Sequence, residues 1–384
     1  MVLTYFDCGG ICRSLQNFLN QYDTSKYEVD VFAMVHEGMF CGEFKNCNIV
    51  SKDIAIDALI SRMSSLNGFK KLLSLVFKGL RRVFGESFQD YLFKRAGKRI
   101  LSRNNYHAII AYSEGVPTRF VSLMNHSKKI AWIHCDYSSY IKDSSSKNEL
   151  AMYQAFSKIV CVSDYTKKVF TDYYPSVAEK VCFVYNILDS MMMKTEAQLV
   201  ESPKLDPEYF NIVSVGRIDV VKRFSYIPQF AKEISKIIIS GRRGVRWYVI
   251  GPQGGKRDEY DALIKNIENY AVQDYVILTG ELSNPYYHIA NANLLVNLSI
   301  SEACPYVINE AKTLGTPCIC SNFGSSYEFI ENGVNGIICP FDSISQSIIS
   351  LLTNPDLYQS LKRNLASFTY DNEEILSKIN MILQ

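Results

Sequence analysis

The run Ser301-Glu302-Ala303-Cys304-Pro305-Tyr306-Val307-Ile308-Asn309-Glu310-Ala311-Lys312-Thr313-Leu314-Gly315-Thr316-Pro317 constrains the fold more than any other stretch of the chain. It follows Leu294-Leu295-Val296, which reads as a buried strand. Pro305 suits the first turn of a helix, where its missing N–H has no partner in any case. Val307, Ile308, Ala311 and Leu314 share one helical face, Gly315 supplies a left-handed cap, and Cys318-Ile319-Cys320 begins another strand. Glu302 then lies in a loop between strand and helix, and Glu310 on the helix.

Two carboxylates so placed can accept hydrogen bonds from two separate hydroxyl-bearing parts of one ligand, while the free N–H groups at the helix start favour an anion. A sugar nucleotide fits that layout, with sugar and ribose hydroxyls on the carboxylates and phosphates on the amides. For the two glutamates taken alone, capping by Glu302 and a flanking position for Glu310 on the apolar stripe account for the same pattern.

The surrounding residues add to it. The E-x7-E pair runs into E-A-x-x-L-G-T-P, then Ser321-Asn322-Phe323-Gly324 and Glu331-Asn332-Gly333-Val334-Asn335-Gly336. Together these resemble the retaining glycosyltransferases of family four, which have the GT-B fold. The resemblance implies an α/β chain of two Rossmann-like domains whose parallel sheets face each other across a cleft. The first, on the acceptor side, spans 1–190 and the second, for the nucleotide sugar, 207–365; a helix over 366–384 crosses back to the first. A length of 384 residues exceeds what one core usually serves, and both halves alternate strand and helix signals. Residues 188–206, with Met191-Met192-Met193, Pro203 and little periodicity, read as the linker.

The second half opens on the strand Phe210-Asn211-Ile212-Val213-Ser214-Val215, followed by Gly216-Arg217-Ile218-Asp219-Val220-Val221-Lys222-Arg223. Gly216 frees the turn, Arg217 offers a planar fork of donors and Lys222 a point charge, a set suited to a diphosphate leaving group. A basic pair facing water is the ordinary alternative. The G-R-x-x-x-x-K match resembles the family's diphosphate-binding loop, and Asp219 receives no role. Gly251-Pro252-Gln253-Gly254-Gly255-Lys256 looks like a P-loop but has Ile250 and Arg257 where that motif needs Gly and Ser or Thr.

In the first half, Gly9-Gly10 forms a turn between a short strand and a helix, and His134 follows the strand Lys129-Ile130-Ala131-Trp132-Ile133. A tight turn and a structural histidine explain these positions without any ligand. The resemblance gives them functions: Gly9 and Gly10 form a loop facing the cleft, and His134 contacts the donor sugar or its phosphate. It further implies that Arg217 and Lys222 stabilise the leaving diphosphate, that Glu302 holds the sugar hydroxyls and Glu310 the ribose. Backbone near Gly216, Cys304, Pro305, Tyr306 and Val307 receives the phosphates, and Gly280 lies by the nucleobase.

Between Arg62 and Arg103 stand eleven basic residues against only Glu86 and Asp90, interleaved with Phe69, Leu72, Leu73, Leu75, Val76, Phe77, Leu80, Val83 and Phe84. This mostly helical segment, 54–103, fits either an anionic membrane surface or a solvated basic face on packed helices. No nucleic-acid reader motif accompanies the charge, and the whole chain is only +2, so nucleic acid is not expected as a partner. The odd count of eleven cysteines, without a secretory leader, indicates a reducing compartment and structural thiols. Cys8 and Cys12 join no second pair at zinc spacing.

The expected activity is transfer of a sugar from a nucleoside diphosphate sugar, UDP favoured, to a hydroxyl of a glycan or lipid-linked acceptor with retention of configuration. No metal or cofactor is expected. The expected setting is surface polysaccharide synthesis in the cytoplasm, at the inner face of the cell membrane. A sugar-nucleotide epimerase of similar fold, or a catalytically silent GT-B partner of another transferase, are the alternatives.

Overall fold

The computed structural model describes the chain apart from residues 7–8, 24, 39–43, 64–65, 144–148 and 255–257. Cys8, and Gly255-Lys256 of the P-loop-like run, therefore lie outside the described residues. Two compact units are present: Met1–Ile187 with Asn372–Gln384, and Leu188–Asp371. Each is a parallel sheet with helices between most successive strands, the Rossmann-like layout.

The first unit contains β1 (Val2–Tyr5), β2 (Asp30–Val35), β3 (Asn48–Ile49), β4 (Ile109–Ala111), β5 (Lys129–Ile133), β6 (Lys158–Cys161) and β7 (Val181–Phe183). Their order is β3-β2-β1-β4-β5-β6-β7, every pair parallel. Strands covered on both faces need apolar residues at almost every position, and Val31, Phe32, Ala33, Met34 and Val35 are all buried. The helix Asn372–Leu383 completes this unit by burying Ile375, Ile379 and Leu383. The Tyr22 hydroxyl donates to Asn380 Oδ1 at 3.2 Å, and the Leu383 carbonyl meets His107 Nε2 at 2.6 Å and the Lys128 ammonium.

The basic segment forms the helices Ile54–Ile60 and Gly68–Leu101, the latter broken at Gly85, whose φ of 65° and ψ of −154° leave the helical region. Beyond the break Leu92, Phe93, Ala96 and Ile100 are buried, and Arg95 and Arg99 pair with Asp53 at 3.2 and 3.3 Å. Ahead of it Phe69, Leu72, Leu75, Val76, Val83 and Phe84 are exposed, Phe69 by 76% and Val83 by 75%. At 3.6 residues per turn these apolar side chains fill one arc, while buried Ser74 marks the opposite side. A solvated basic face on a packed helix thus describes the second half alone. Among the described residues no helix is long and apolar enough to cross a membrane.

The second unit contains β8 (Phe210–Val215), β9 (Val245–Ile250), β10 (Val276–Gly280), β11 (Leu294–Asn297), β12 (Cys318–Ser321) and β13 (Ile337–Cys339). They run parallel in the order β10-β9-β8-β11-β12-β13. Successive residues point to opposite faces. Phe210, Ile212, Trp247, Val249, Leu294 and Val296 join one core layer with the helix Ile227–Ile234; Val213, Tyr248, Ile250 and Leu295 join the other with the helix Tyr306–Thr313. The chain leaves β8 over one face and β11 over the other. Their carboxyl ends therefore flank a switch point, where open α/β sheets leave a crevice.

Residues 188–206 are not a free connector. Asp189 caps the helix Ser190–Glu196 through its side chain, and Leu188, Met193, Ala197 and Leu205 are buried in the second unit's core. Seven helical residues are too few to give a readable apolar period.

Candidate active site

The loops after β8 and β11 build one polar cluster at the switch point. The backbone of the first is held at both ends: the Ile218 N–H donates to Pro252 O at 2.9 Å, and the Ile300 N–H of the second donates to Val221 O at 2.9 Å. That second bond sets Lys222 beside Glu302, so the two side chains form an ion pair. Ser299 Oγ donates to the same Glu302 Oε1 at 2.7 Å and Asn297 Nδ2 at 3.4 Å, while Ser325 Oγ fixes the Glu302 carbonyl at 2.7 Å. Burial pushes the Glu302 carboxyl up, but the Lys222 ammonium and the bonds from Lys222, Ser299 and Asn297 outweigh it and hold the group below the usual glutamate range.

Arg217 is 64% exposed and its guanidinium lies 3.6 Å from Asp219 Oδ2. Asp219, given no role by its sequence position, is the organiser of this turn. Its Oδ1 accepts the Lys222 N–H at 3.1 Å, and its carbonyl accepts the Lys222 and Arg223 N–H groups at 3.0 and 3.3 Å. An aspartate three residues before the group it caps is the signal that was available.

Glycines let neighbouring strand ends come together here. The Gly216 N–H donates to Ile250 O at 2.9 Å and the Gly251 N–H to Gly280 O at 2.8 Å. Gly251 has φ 144°, and a Cβ there would sit 2.0 Å from Gly216 O. The P-loop-like run is therefore a close-packing device between strand ends. Outside this cluster a cavity of about 520 Å³ opens by Val220, Arg223, Tyr226, Glu259 and Ile300; Arg217, Lys222 and Glu302 do not line it.

Pro305 stands just ahead of the helix Tyr306–Thr313 rather than within its first turn, with no side-chain cap, and Cys304 precedes it. Glu302 spends its carboxylate on Lys222, Ser299 and Asn297, which removes the simple capping account. Glu310 is 7% exposed on this helix, and Val307 and Ile308 are buried with Ala311. The helix ends as expected on Gly315, at φ 75°. The Gly315 N–H reaches Lys312 O at 3.1 Å and the Thr316 N–H reaches Ala311 O at 2.8 Å, the two bonds of a Schellman cap.

Residues 196–367 match the family of glycosyl transferases group 1. This stretch lies wholly within the second unit and contains the cluster just described. An uncharacterized glycosyltransferase of Methanocaldococcus jannaschii is 23% identical over 60% of this chain, spanning 55% of its own length. The N-acetylgalactosamine-N,N'-diacetylbacillosaminyl-diphospho-undecaprenol 4-alpha-N-acetylgalactosaminyltransferase of Campylobacter jejuni is 23% identical over 76% of this chain and 73% of its own. Anabaena HepE, solved in complex with UDP and glucose, superposes with a TM-score of 0.74 at 16% identity over 100% of this chain and 98% of its own. The fold is that of the GT-B glycosyltransferases.

The first unit carries the remaining candidates. Gly9 and Gly10 are exposed at the start of the helix Gly10–Gln21, which has no side-chain cap. His134 follows β5, its ring 4.9 Å from that of Tyr112. Its Nε2 is enclosed with no hydrogen-bond partner among the described residues, and burial pushes the imidazole down to about 3, so it is neutral near pH 7. A neutral ring offers a donor or an acceptor to a ligand but no charge. Glu114, to which its sequence position gives no role, lies in the turn after β4 and accepts the His134 N–H on Oε2 at 3.0 Å; burial pushes its carboxyl up.

Proposed function

We propose that the protein is a retaining glycosyltransferase. It takes a sugar from a nucleoside diphosphate, UDP by preference, to a hydroxyl of a glycan or lipid-linked acceptor. The observation that carries the reading is the Lys222–Glu302 pair beside Arg217 at the switch point of the second sheet. Two cations reach the place where a leaving diphosphate gains charge, and stabilising developing charge with prearranged groups is the largest single contribution most enzymes make. Arg217 and Lys222 do this without a metal ion, Glu302 holds sugar hydroxyls once Lys222 turns to the phosphates, and Glu310 holds the ribose. His134, uncharged, orients the sugar. The complexes of HepE with UDP and with UDP-glucose support the choice of donor base. The relative from Campylobacter, named for a diphospho-undecaprenol acceptor, supports a lipid-linked one.

Nucleoside diphosphate release from a panel of UDP-, GDP- and ADP-sugars, with and without EDTA, tests this. The expected result is slow release from one UDP-sugar, unaffected by EDTA, rising when the right acceptor is added. An altered sugar nucleotide with no free diphosphate would instead establish an epimerase. No release, with no nucleotide raising the melting temperature, would leave a silent partner protein.

A lipid-linked acceptor also calls for a way to reach the bilayer, and residues 68–84 supply one at its cytoplasmic face. The exposed arc of Phe69, Leu72, Val76, Val83 and Phe84 is bordered by Lys70, Lys71, Arg81 and Arg82, with no acidic residue in those seventeen positions. Apolar contact and attraction to anionic headgroups act together on such a face, about 1 kcal/mol per basic residue near the surface. Flotation with phosphatidylglycerol vesicles is expected to carry the protein up, and phosphatidylcholine vesicles to leave it behind. Replacing Phe69, Val83 and Phe84 together by Ser should abolish flotation while sugar-nucleotide hydrolysis in solution persists. Equal flotation of parent and variant would remove this face as the contact.

A further inference from the structure

The two cations assigned to the diphosphate are each faced by a carboxylate: Lys222 by Glu302, and Arg217 by Asp219. Formally the cluster is neutral before anything binds. Glu302 has work to do on the sugar, but Asp219 has no hydroxyl assigned to it. Its Oδ1 is committed to the Lys222 N–H at 3.1 Å, which fixes it within the phosphate loop. Gly254 bears on the same spot: a Cβ there would come within 3.0 Å of Asp219 Cβ and 2.7 Å of Ile218 O, so the loop sits tightly against the chain after β9.

We propose that Asp219 is a positioning residue that sets how readily the spent nucleotide leaves. The inference rests on the donor reading above. A nucleoside diphosphate carries one more negative charge than the sugar nucleotide it came from, because the glycosidic phosphate ester has become a free terminal phosphate. A fixed carboxylate beside the phosphate loop therefore opposes the product more than the donor. Such a repulsion, screened at a partly exposed site, is worth roughly 1 kcal/mol, about a fivefold difference in affinity. The same residue, through Oδ1, keeps the loop in the shape that accepts the donor.

The decisive variant is Asp219→Asn, which retains the oxygen that accepts the Lys222 N–H and loses the charge. Titration calorimetry with UDP, UDP-glucose and inorganic pyrophosphate at low and high salt is the measurement. The expected result is UDP binding about threefold to tenfold tighter, a smaller gain for UDP-glucose, and a difference between the two ligands that shrinks as salt rises. Asp219→Glu, keeping the charge, should keep the parent's ratio of the two affinities. A ratio in Asp219→Asn equal to the parent's, with UDP still binding the parent, overturns the inference and leaves the donor reading standing. A parent that binds neither UDP nor pyrophosphate overturns both. A purely structural Asp219 would change both ligands alike, so the ratio separates the two roles.

Discussion

Lys222→Met is expected to lower sugar transfer by about a hundredfold to a thousandfold, the range found when one prearranged donor to a developing anion is removed. On the proposed reading the loss should fall mainly on kcat, because Lys222 is paired with Glu302 and would turn to the phosphates as their charge grows. Glu302→Gln should cost about as much by a different route. It frees Lys222, so diphosphate binding tightens while transfer fails for want of a group to hold the sugar. Initial rates across donor concentrations, with Kd for UDP measured beside them, check this; a Glu302→Gln enzyme with unchanged kcat would remove Glu302 from the site. The pair also gives a pH signature. The Glu302 pKa is lowered on folding, so its contribution to stability is present above the ordinary glutamate value of about 4.3 and is lost as pH falls through the lower folded value. Acid unfolding of Lys222→Met should therefore differ least from the parent at the lowest pH, where the carboxylate is already protonated.

The second large effect lies in a glycine. Gly251→Ala places a methyl carbon 2.0 Å from the Gly216 carbonyl oxygen, on a backbone with φ 144° that alanine avoids. Neither atom is at the end of a flexible side chain, so strands β8 and β9 must part at their carboxyl ends, where the Gly216 N–H to Ile250 O bond lies. Backbone strain and overpacking together cost about 3 kcal/mol or more. For a unit of this size that corresponds to a melting temperature lower by roughly 10 °C. Gly315→Ala is the matched control, since Gly315 has φ 75° and open space around its Cβ position. It should cost only about 1 kcal/mol, the conformational price alone. Thermal unfolding of the two variants checks the comparison; equal losses would mean that the contact with Gly216 relaxes freely.

Which of these features could be read from the chain follows the range of the interactions behind them. The strand, loop and helix around Glu302 are local, and apolar runs, Pro305 and Gly315 announce them within a few residues. Arg217 and Lys222 were legible for the same reason, as a short motif after a strand. Gly251 was noticed but misleading: its neighbours mimic a phosphate loop, whereas its purpose depends on a carbonyl thirty-five residues away in sequence. Asp219 lies inside the motif, but its value comes from two partners that only the folded turn brings to its carboxylate. The helix Ser190–Glu196 passed for a linker because Met193 shows its burial only against the second unit's core. The basic segment revealed its charge and not its orientation, which depends on Gly85 dividing a packed half from an exposed one.

The helix Asn372–Leu383 belongs to the unit whose other residues end at Ile187, although the whole of Leu188–Asp371 lies between them in the chain. A ribosome makes these parts in order. The second unit is complete on emergence and can fold at once, whereas the first must wait, with the surfaces that will cover Ile375, Ile379 and Leu383 bare, until residues 372–383 have followed. Production of this protein thus includes an interval in which the unit carrying the basic helices is the unfinished one, and slow translation of residues 188–371 lengthens that interval directly.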